Sequence, residues 1–229
     1  MLYIVSTPIG NLDDISLRQA KTLMSSDVIL AEDTRSARIL LEAIEKRFPQ
    51  LTANKPQLTI LSYYKEKEFE KLPEVIEYLK EGKNLSLISE SGTPLVSDPG
   101  SLLIKTCIKR GIPFTAIPGA SALISGLVLS GFNTSQFIFL GFFPKKPSEK
   151  LKFVKKLRSI KEIFADVSIV FYESSLRINE TFQSFIKLGW DPEAAVCREM
   201  TKKFEEIVRG KASDLATKSY KGELTIVLR

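Results

Sequence analysis

The sequence predicts two successive α/β domains, the first built on a mainly parallel sheet and the second on a mixed one. Three observations carry this. Short apolar runs alternate with helix-periodic stretches through the first half, as parallel strands joined by crossover helices require. Near Pro118 the pattern changes to a helix rich in small residues. Late in the chain two strands are separated by only a few residues, which suits an antiparallel pair and leaves no room for a crossover. The junction is placed at residues 116–119, giving domains over residues 1–116 and 117–229.

In order, residues 2–5, 27–31, 58–61, 84–89 and 114–117 read as strands, being short, apolar and rich in Ile, Leu and Val. Between them residues 17–25, 36–47, 69–81 and 102–110 carry the 3.6-residue period of helices. Gly111-Ile-Pro113 ends the last of these as a C-terminal Gly followed by Pro does. In the second half a helix at 120–130 precedes a strand at 136–140, a basic helix at 148–160, a strand at 167–172 and a helix at 176–188. Strands at 194–198, 205–209 and 223–228 complete it. In the basic helix Leu151, Val154, Leu157 and Ile160 recur at three-residue steps and are expected to pack inward, leaving Lys152, Lys155 and Lys156 for solvent.

Composition narrows the function. With 44% hydrophobic and 26% charged residues, this is the make-up of an ordinary folded soluble protein. Met1-Leu-Tyr-Ile-Val5 reads as a strand, not as the basic start of a signal peptide. The longest apolar stretch, residues 120–129, is too short to span a bilayer. Cys107 and Cys197 form no metal or redox motif and are expected as buried free thiols, so a cytoplasmic location is expected. The chain has no histidine, which excludes a His base, a His metal ligand and a Ser-His pair. Net charge is +6, and residues 145–161 hold eight basic residues against the single acid Glu149. Basicity this concentrated suits a surface that meets phosphates, with Lys145, Lys146, Lys152, Lys155 and Lys156 as the candidate nucleic-acid contacts.

Four strand ends run into unusual sequence: Ser6-Thr-Pro-Ile-Gly-Asn-Leu-Asp-Asp14, Ala31-Glu-Asp-Thr-Arg35, the stretch SESGTPLVSDPG at residues 89–100, and Pro118-Gly-Ala-Ser-Ala122. In an open parallel sheet, ligands bind beyond the carboxyl ends of the strands, where such loops gather. Neither a dinucleotide fingerprint nor a P-loop is present. The third loop carries Glu90 and Asp98 with no cation, which disfavours a polyphosphate there and suits a ligand bearing positive charge and hydroxyls. S-adenosylmethionine, with a sulfonium, an ammonium and a ribose, is such a molecule.

These loops, together with Gly141-Phe-Phe-Pro144, Phe171-Tyr-Glu-Ser174 plus Arg177, Arg198-Glu-Met-Thr-Lys202 plus Glu205, and Gly222-Glu-Leu-Thr-Ile226, resemble the tetrapyrrole methylase superfamily. More narrowly, they resemble its branch of small-subunit ribosomal RNA (cytidine-2′-O-)methyltransferases. The resemblance implies a two-domain methyltransferase, usually a homodimer, that uses S-adenosylmethionine and acts on the small ribosomal subunit. It implies cofactor contacts at Pro8, Ser91, Gly92, Thr93, Asp98, Pro118, Gly119, Ser121, Tyr172, Met200, Gly222, Glu223 and Thr225. For Tyr172 and Thr225, packing within the second domain is the equal alternative.

A ribose hydroxyl that attacks a methyl group benefits from an acceptor for its proton, and without His the candidates are carboxylates, Lys or Tyr. Glu32 and Asp33 follow the second strand. Asp33 is expected to accept from the hydroxyl while Arg35 holds an adjacent phosphate; the alternative is that Asp33 caps the following helix and Arg35 pairs with it. The chain departs from the family in two places. Ser62-Tyr-Tyr-Lys-Glu-Lys-Glu68 stands where members usually carry a His-rich stretch, and Ser89-Glu90-Ser91 stands where an Asp and a small residue are usual. Two other functions remain open from sequence: methylation of a tetrapyrrole or corrin precursor, and a non-catalytic RNA-binding assembly factor.

Overall fold

A computed structural model describes residues 1–51 and 58–229. The chain divides into two compact units, Met1–Ser121 and Ala122–Arg229.

In the first unit β1 (Leu2–Val5), α1 (Leu17–Met24), β2 (Val28–Ala31), α2 (Thr34–Arg47), β3 (Thr59–Ser62), α3 (Glu68–Lys80), β4 (Leu85–Ile88), α4 (Ser101–Arg110) and β5 (Phe114–Ile117) alternate along the chain. The five strands form one parallel sheet in the order β3-β2-β4-β1-β5. Every residue of β2 and β4 is buried, which is why both read as unbroken apolar runs. Their side chains alternate between two cores. Ile29, Ala31 and Ile88 pack with Ala20, Leu23, Leu40 and Ile44 of α1 and α2. Val28, Leu30, Leu85 and Leu87 pack with Val75, Ile76, Leu103 and Cys107 of α3 and α4.

The second unit runs α5 (Ala122–Ser130), β6 (Phe137–Phe142), α6 (Pro147–Ile163), β7 (Ser168–Ser174), α7 (Ile178–Ile186), β8 (Glu193–Arg198), β9 (Glu206–Lys211), α8 (Ala212–Leu215) and β10 (Glu223–Leu228). Its sheet has the order β6-β7-β10-β8-β9, with β6 parallel to β7 and the remaining pairs antiparallel. The main core lies on the face covered by α6, α7 and α8. On the other face α5 sits so close to the sheet that a Cβ on Gly126 would lie 2.6 Å from Thr225 Cγ2. Both cysteines are buried free thiols, as expected. Among the described residues, no helix is long and apolar enough to cross a membrane.

The packing of α6 differs from the expectation. Val154 and Leu157 are buried and Ile160 is packed against the core, but Leu151 is 40% exposed. Successive three-residue steps each turn the helix 60° short of a full circle, so Leu151 and Ile160 stand on opposite sides. The buried stripe follows four- and three-residue steps instead, and it begins at Lys150. That buried ammonium reaches Glu180 of α7 at 2.8 Å. Lys161 lies on the same stripe and donates to Val167 O at 2.9 Å.

Candidate functional site

All strands of a parallel sheet end at one edge. The loops after β2, β4, β1 and β5 therefore stand side by side in the first unit, and they are the four loops singled out in the sequence. Short bonds tie three of them together. Thr7 N–H donates to Gly92 O at 2.8 Å and Gly92 N–H to Thr7 O at 3.2 Å, an isolated antiparallel bridge. Ser6 Oγ lies 3.1 Å from Thr93 Oγ1, which donates to Ala120 O at 3.2 Å. Buried Gln19 donates from Nε2 to Ser6 O at 2.7 Å and accepts from Ser16 N–H at 2.6 Å, closing the capping box of α1. A Cβ on Gly119 would overlap the Gln19 amide, so this loop has to carry glycine there. Pro8 and Gly92 are buried in the junction, Thr93 and Ser121 are partly exposed, and Ser91, Pro118 and Gly119 lie exposed around it.

The fourth loop joins through carboxylates. Glu32, half-buried at the end of β2, is raised above the usual carboxylate range by burial, against the pull of a backbone hydrogen bond from Glu90. Asp98 is pushed up to about 6 by burial and by the nearby Glu32 and Glu90, although the Ser89 side chain hydrogen-bonds to it. The charges that act on Asp98 are thus acids. Asp33 is otherwise placed: its Oδ1 accepts from Arg35 N–H at 2.7 Å and Ser36 N–H at 3.3 Å, and Arg35 Nη2 lies 3.2 Å from Oδ2. The backbone N–H and guanidinium of Arg35 hold its carboxyl below the usual range. The cap on α2 and the ion pair are both present.

In the second unit the candidates gather at one end of the sheet, where Tyr172 on β7 and Thr225 on β10 are register partners. Both belong to the face that carries α5, opposite the core that holds Phe171 and Ile226. Tyr172 meets Phe139 and Phe142 edge-on, with ring centroids 5.0 and 5.3 Å apart, and Thr225 and Met200 are buried. Gly222 (φ +87°) lies against Glu199, whose carboxylate a Cβ there would overlap. Glu199 accepts from Glu223 N–H at 2.8 Å, and Lys202 Nζ sits 3.3 Å from Glu199 and 2.6 Å from Glu223. The non-glycine residues with left-handed backbone among the described residues are Leu95, Ser97, Glu199 and Thr201. All four fall in the loops after β4 and β8, where strain of this kind collects at binding sites.

Lys145, Lys146, Lys152, Lys155 and Lys156 are exposed at and along α6, the last three at i, i+3 and i+4 on one helix face. Lys146 is 3.5 Å from Glu149.

Two positioning residues escaped the sequence reading. Gln19 had a signal, since Ser16 followed three residues later by Gln is a capping box. Glu68 had none: from α3 it accepts Leu102 N–H at 2.8 Å and Leu103 N–H at 3.2 Å, capping α4, whose own N-cap Gly100 has no side chain to do so. Tyr63 is fully buried among residues of α3, α4 and the sheet. In this chain, part of the stretch that departs from the family pattern is core and helix cap.

The family model for Tetrapyrrole (Corrin/Porphyrin) Methylases matches residues 1–216. The chain is 38% identical over 231 residues to ribosomal RNA small subunit methyltransferase I of Thermotoga maritima, covering 99% of this chain and 97% of that one. It is 38% identical over 234 residues to the protein of the same name from a Hydrogenobaculum species, covering 99% and 94%. Among solved structures, the methyltransferase CobJ superposes with a TM-score of 0.70 at 17% identity, covering 99% of this chain and 92% of that chain, which is a likeness of fold.

Proposed function

The chain belongs to the tetrapyrrole (corrin/porphyrin) methylase family, and on that premise we propose that it methylates the 2′-hydroxyl of a cytidine in small-subunit ribosomal RNA, with S-adenosylmethionine as methyl donor. The observation that carries the reading is 38% identity along 99% of the chain to a relative named for that class of substrate. The donor set fits the cofactor. Glu32 and Asp98 are both raised above the usual carboxylate range, by burial first and then by neighbouring acids that include Glu90, a setting that a cation relieves.

When bound, S-adenosylmethionine supplies a methyl group activated by a sulfonium. In the first unit Pro8, Ser91, Gly92, Thr93, Asp98, Pro118, Gly119 and Ser121 are the proposed contacts; in the second they are Tyr172, Met200, Gly222, Glu223 and Thr225. Asp98 and Glu32 hold positive charge, and the serine and threonine hydroxyls serve polar groups. Asp33 stays ionised because its pKa is lowered, so it accepts and orients the ribose hydroxyl, and Arg35, exposed beside it, holds a neighbouring phosphate. The exposed lysines of α6 bind the RNA backbone. Reversing Lys155 and Lys156 to Glu is expected to weaken RNA binding and to lower the slope of log affinity against log salt by about 2. The same reading makes the protein a cytoplasmic homodimer, which sedimentation equilibrium checks for its mass.

The function is tested by incubating the protein and labelled cofactor with small subunits from cells lacking this gene, then mapping ribose methylation. One newly methylated cytidine is expected. Label entering a tetrapyrrole precursor and not rRNA would move the assignment to another branch of the family. Cofactor binding without transfer to any subunit would make the protein an assembly factor.

A further inference from the structure

The turn between β8 and β9 holds out an aromatic ring that neither the core nor the proposed cofactor contacts use. Phe204 is 63% exposed, and the ammonium of Lys203 lies 5.6 Å from its ring centroid. The turn that carries it is braced. Glu199 and Thr201 are left-handed, Thr201 N–H donates to the Glu205 carboxylate at 2.7 Å, and Lys202 spans Glu199 and Glu223. A large apolar side chain kept in water on a stiff support adds nothing to folding stability. The loop after β7 does the same with Leu176, which is 93% exposed. Ser174 at the end of β7 registers against Glu223, and Arg198 at the end of β8 against Leu224. The two loops therefore flank the start of β10, where Gly222 and Glu223 lie.

We propose that Phe204 is a stacking platform for an unpaired base of the RNA substrate, with Lys203 on the adjoining phosphate and Leu176 bounding the far side of the strand end. This rests on the ribosomal-RNA reading above and adds the element that grips a nucleotide. Proteins that act on one nucleotide of an RNA take it from loops or splay it out of its stack, and its base then rests on an aromatic or apolar side chain. A ring beside a cation is the common form of such a platform. A second copy of this chain is the competing partner. Protein interfaces, however, bury a contiguous apolar centre, whereas these two side chains stand singly on separate tips, either side of a strand end occupied by the Lys202–Glu223 pair.

The test compares wild type with Phe204→Ala, Phe204→Leu and Phe204→Trp. Each is titrated with a single-stranded RNA oligonucleotide carrying 2-aminopurine, assayed for methylation of small subunits with KM and kcat separated, and measured for cofactor affinity and for mass in solution. Stacking predicts quenching of 2-aminopurine by wild type and Trp. It also predicts that Ala and Leu lose the quenching and about tenfold or more in RNA affinity. Cofactor affinity and mass are expected to stay unchanged in all four proteins. Full RNA affinity in the Leu variant would overturn the proposal, since bulk alone would then suffice. A mass that falls in the Ala variant would overturn it in favour of a contact between copies. If wild type methylates no rRNA yet still quenches the oligonucleotide, the methylation reading fails and the platform stands.

Discussion

The loop after β4 and the loop after β8 are built alike in backbone and differently in charge. Each bends through two non-glycine left-handed residues, Leu95 and Ser97 in one and Glu199 and Thr201 in the other. In the first, Asp98 is half-buried beside Glu32 and Glu90 and is raised to about 6. In the second, Glu199 is held low by the N–H of Glu223 and by Lys202. Strain alone therefore does not mark what a loop binds. The β4 loop keeps an uncompensated negative charge, which the proposed function assigns to a cationic ligand. The β8 loop has neutralised its own charge and serves as a rigid support.

The largest expected effect comes from placing the missing cation in the first loop. Asp98→Lys should reduce S-adenosylmethionine affinity about 100-fold or more by calorimetry, because a repelling charge replaces an attracting one in a half-buried site. Next, Gly222→Ala forces a side chain into a left-handed position and onto the Glu199 carboxylate. A loss of about 2–3 kcal/mol in urea unfolding is expected. Glu68→Ala removes the cap that holds the start of α4 directly beyond the β4 loop, for about 1–2 kcal/mol in the same measurement. Lys202→Met gives the second loop the unbalanced charge of the first. It should cost about 1 kcal/mol and leave Glu199 and Glu223 repelling each other.

Much of this was legible in the sequence, for physical reasons. The central strands β2 and β4 are buried on both faces, so they stand out as apolar runs. The loops after β1, β4 and β5 stand out because tight turns demand Gly, Pro and hydroxyl residues. The grouping of Glu32, Glu90 and Asp98 was not legible, since it depends on β2 lying beside β4, a neighbour relation that no local pattern encodes. The Glu68 cap joins residues 34 apart in sequence and is hidden for the same reason. Helix α8 is one turn long, too short to show a period. Lys150 was misleading by type: its charge suggests solvent, while its position on the buried stripe of α6 puts it inside.

The pH dependence of cofactor binding tests the charge on the β4 loop most directly. An acid raised on folding stabilises the chain only while protonated. This contribution from Asp98 is complete below about 3.8 and is lost as pH rises through about 6. Above that range the free protein holds an ionised, crowded carboxylate that a cationic ligand relieves. Calorimetric titration with S-adenosylmethionine should therefore show affinity falling about tenfold from pH 7.5 to pH 5, and Asp98→Asn should bind more weakly and with little dependence on pH. Equal binding by wild type and Asp98→Asn across that range, or no binding by wild type at all, would contradict it.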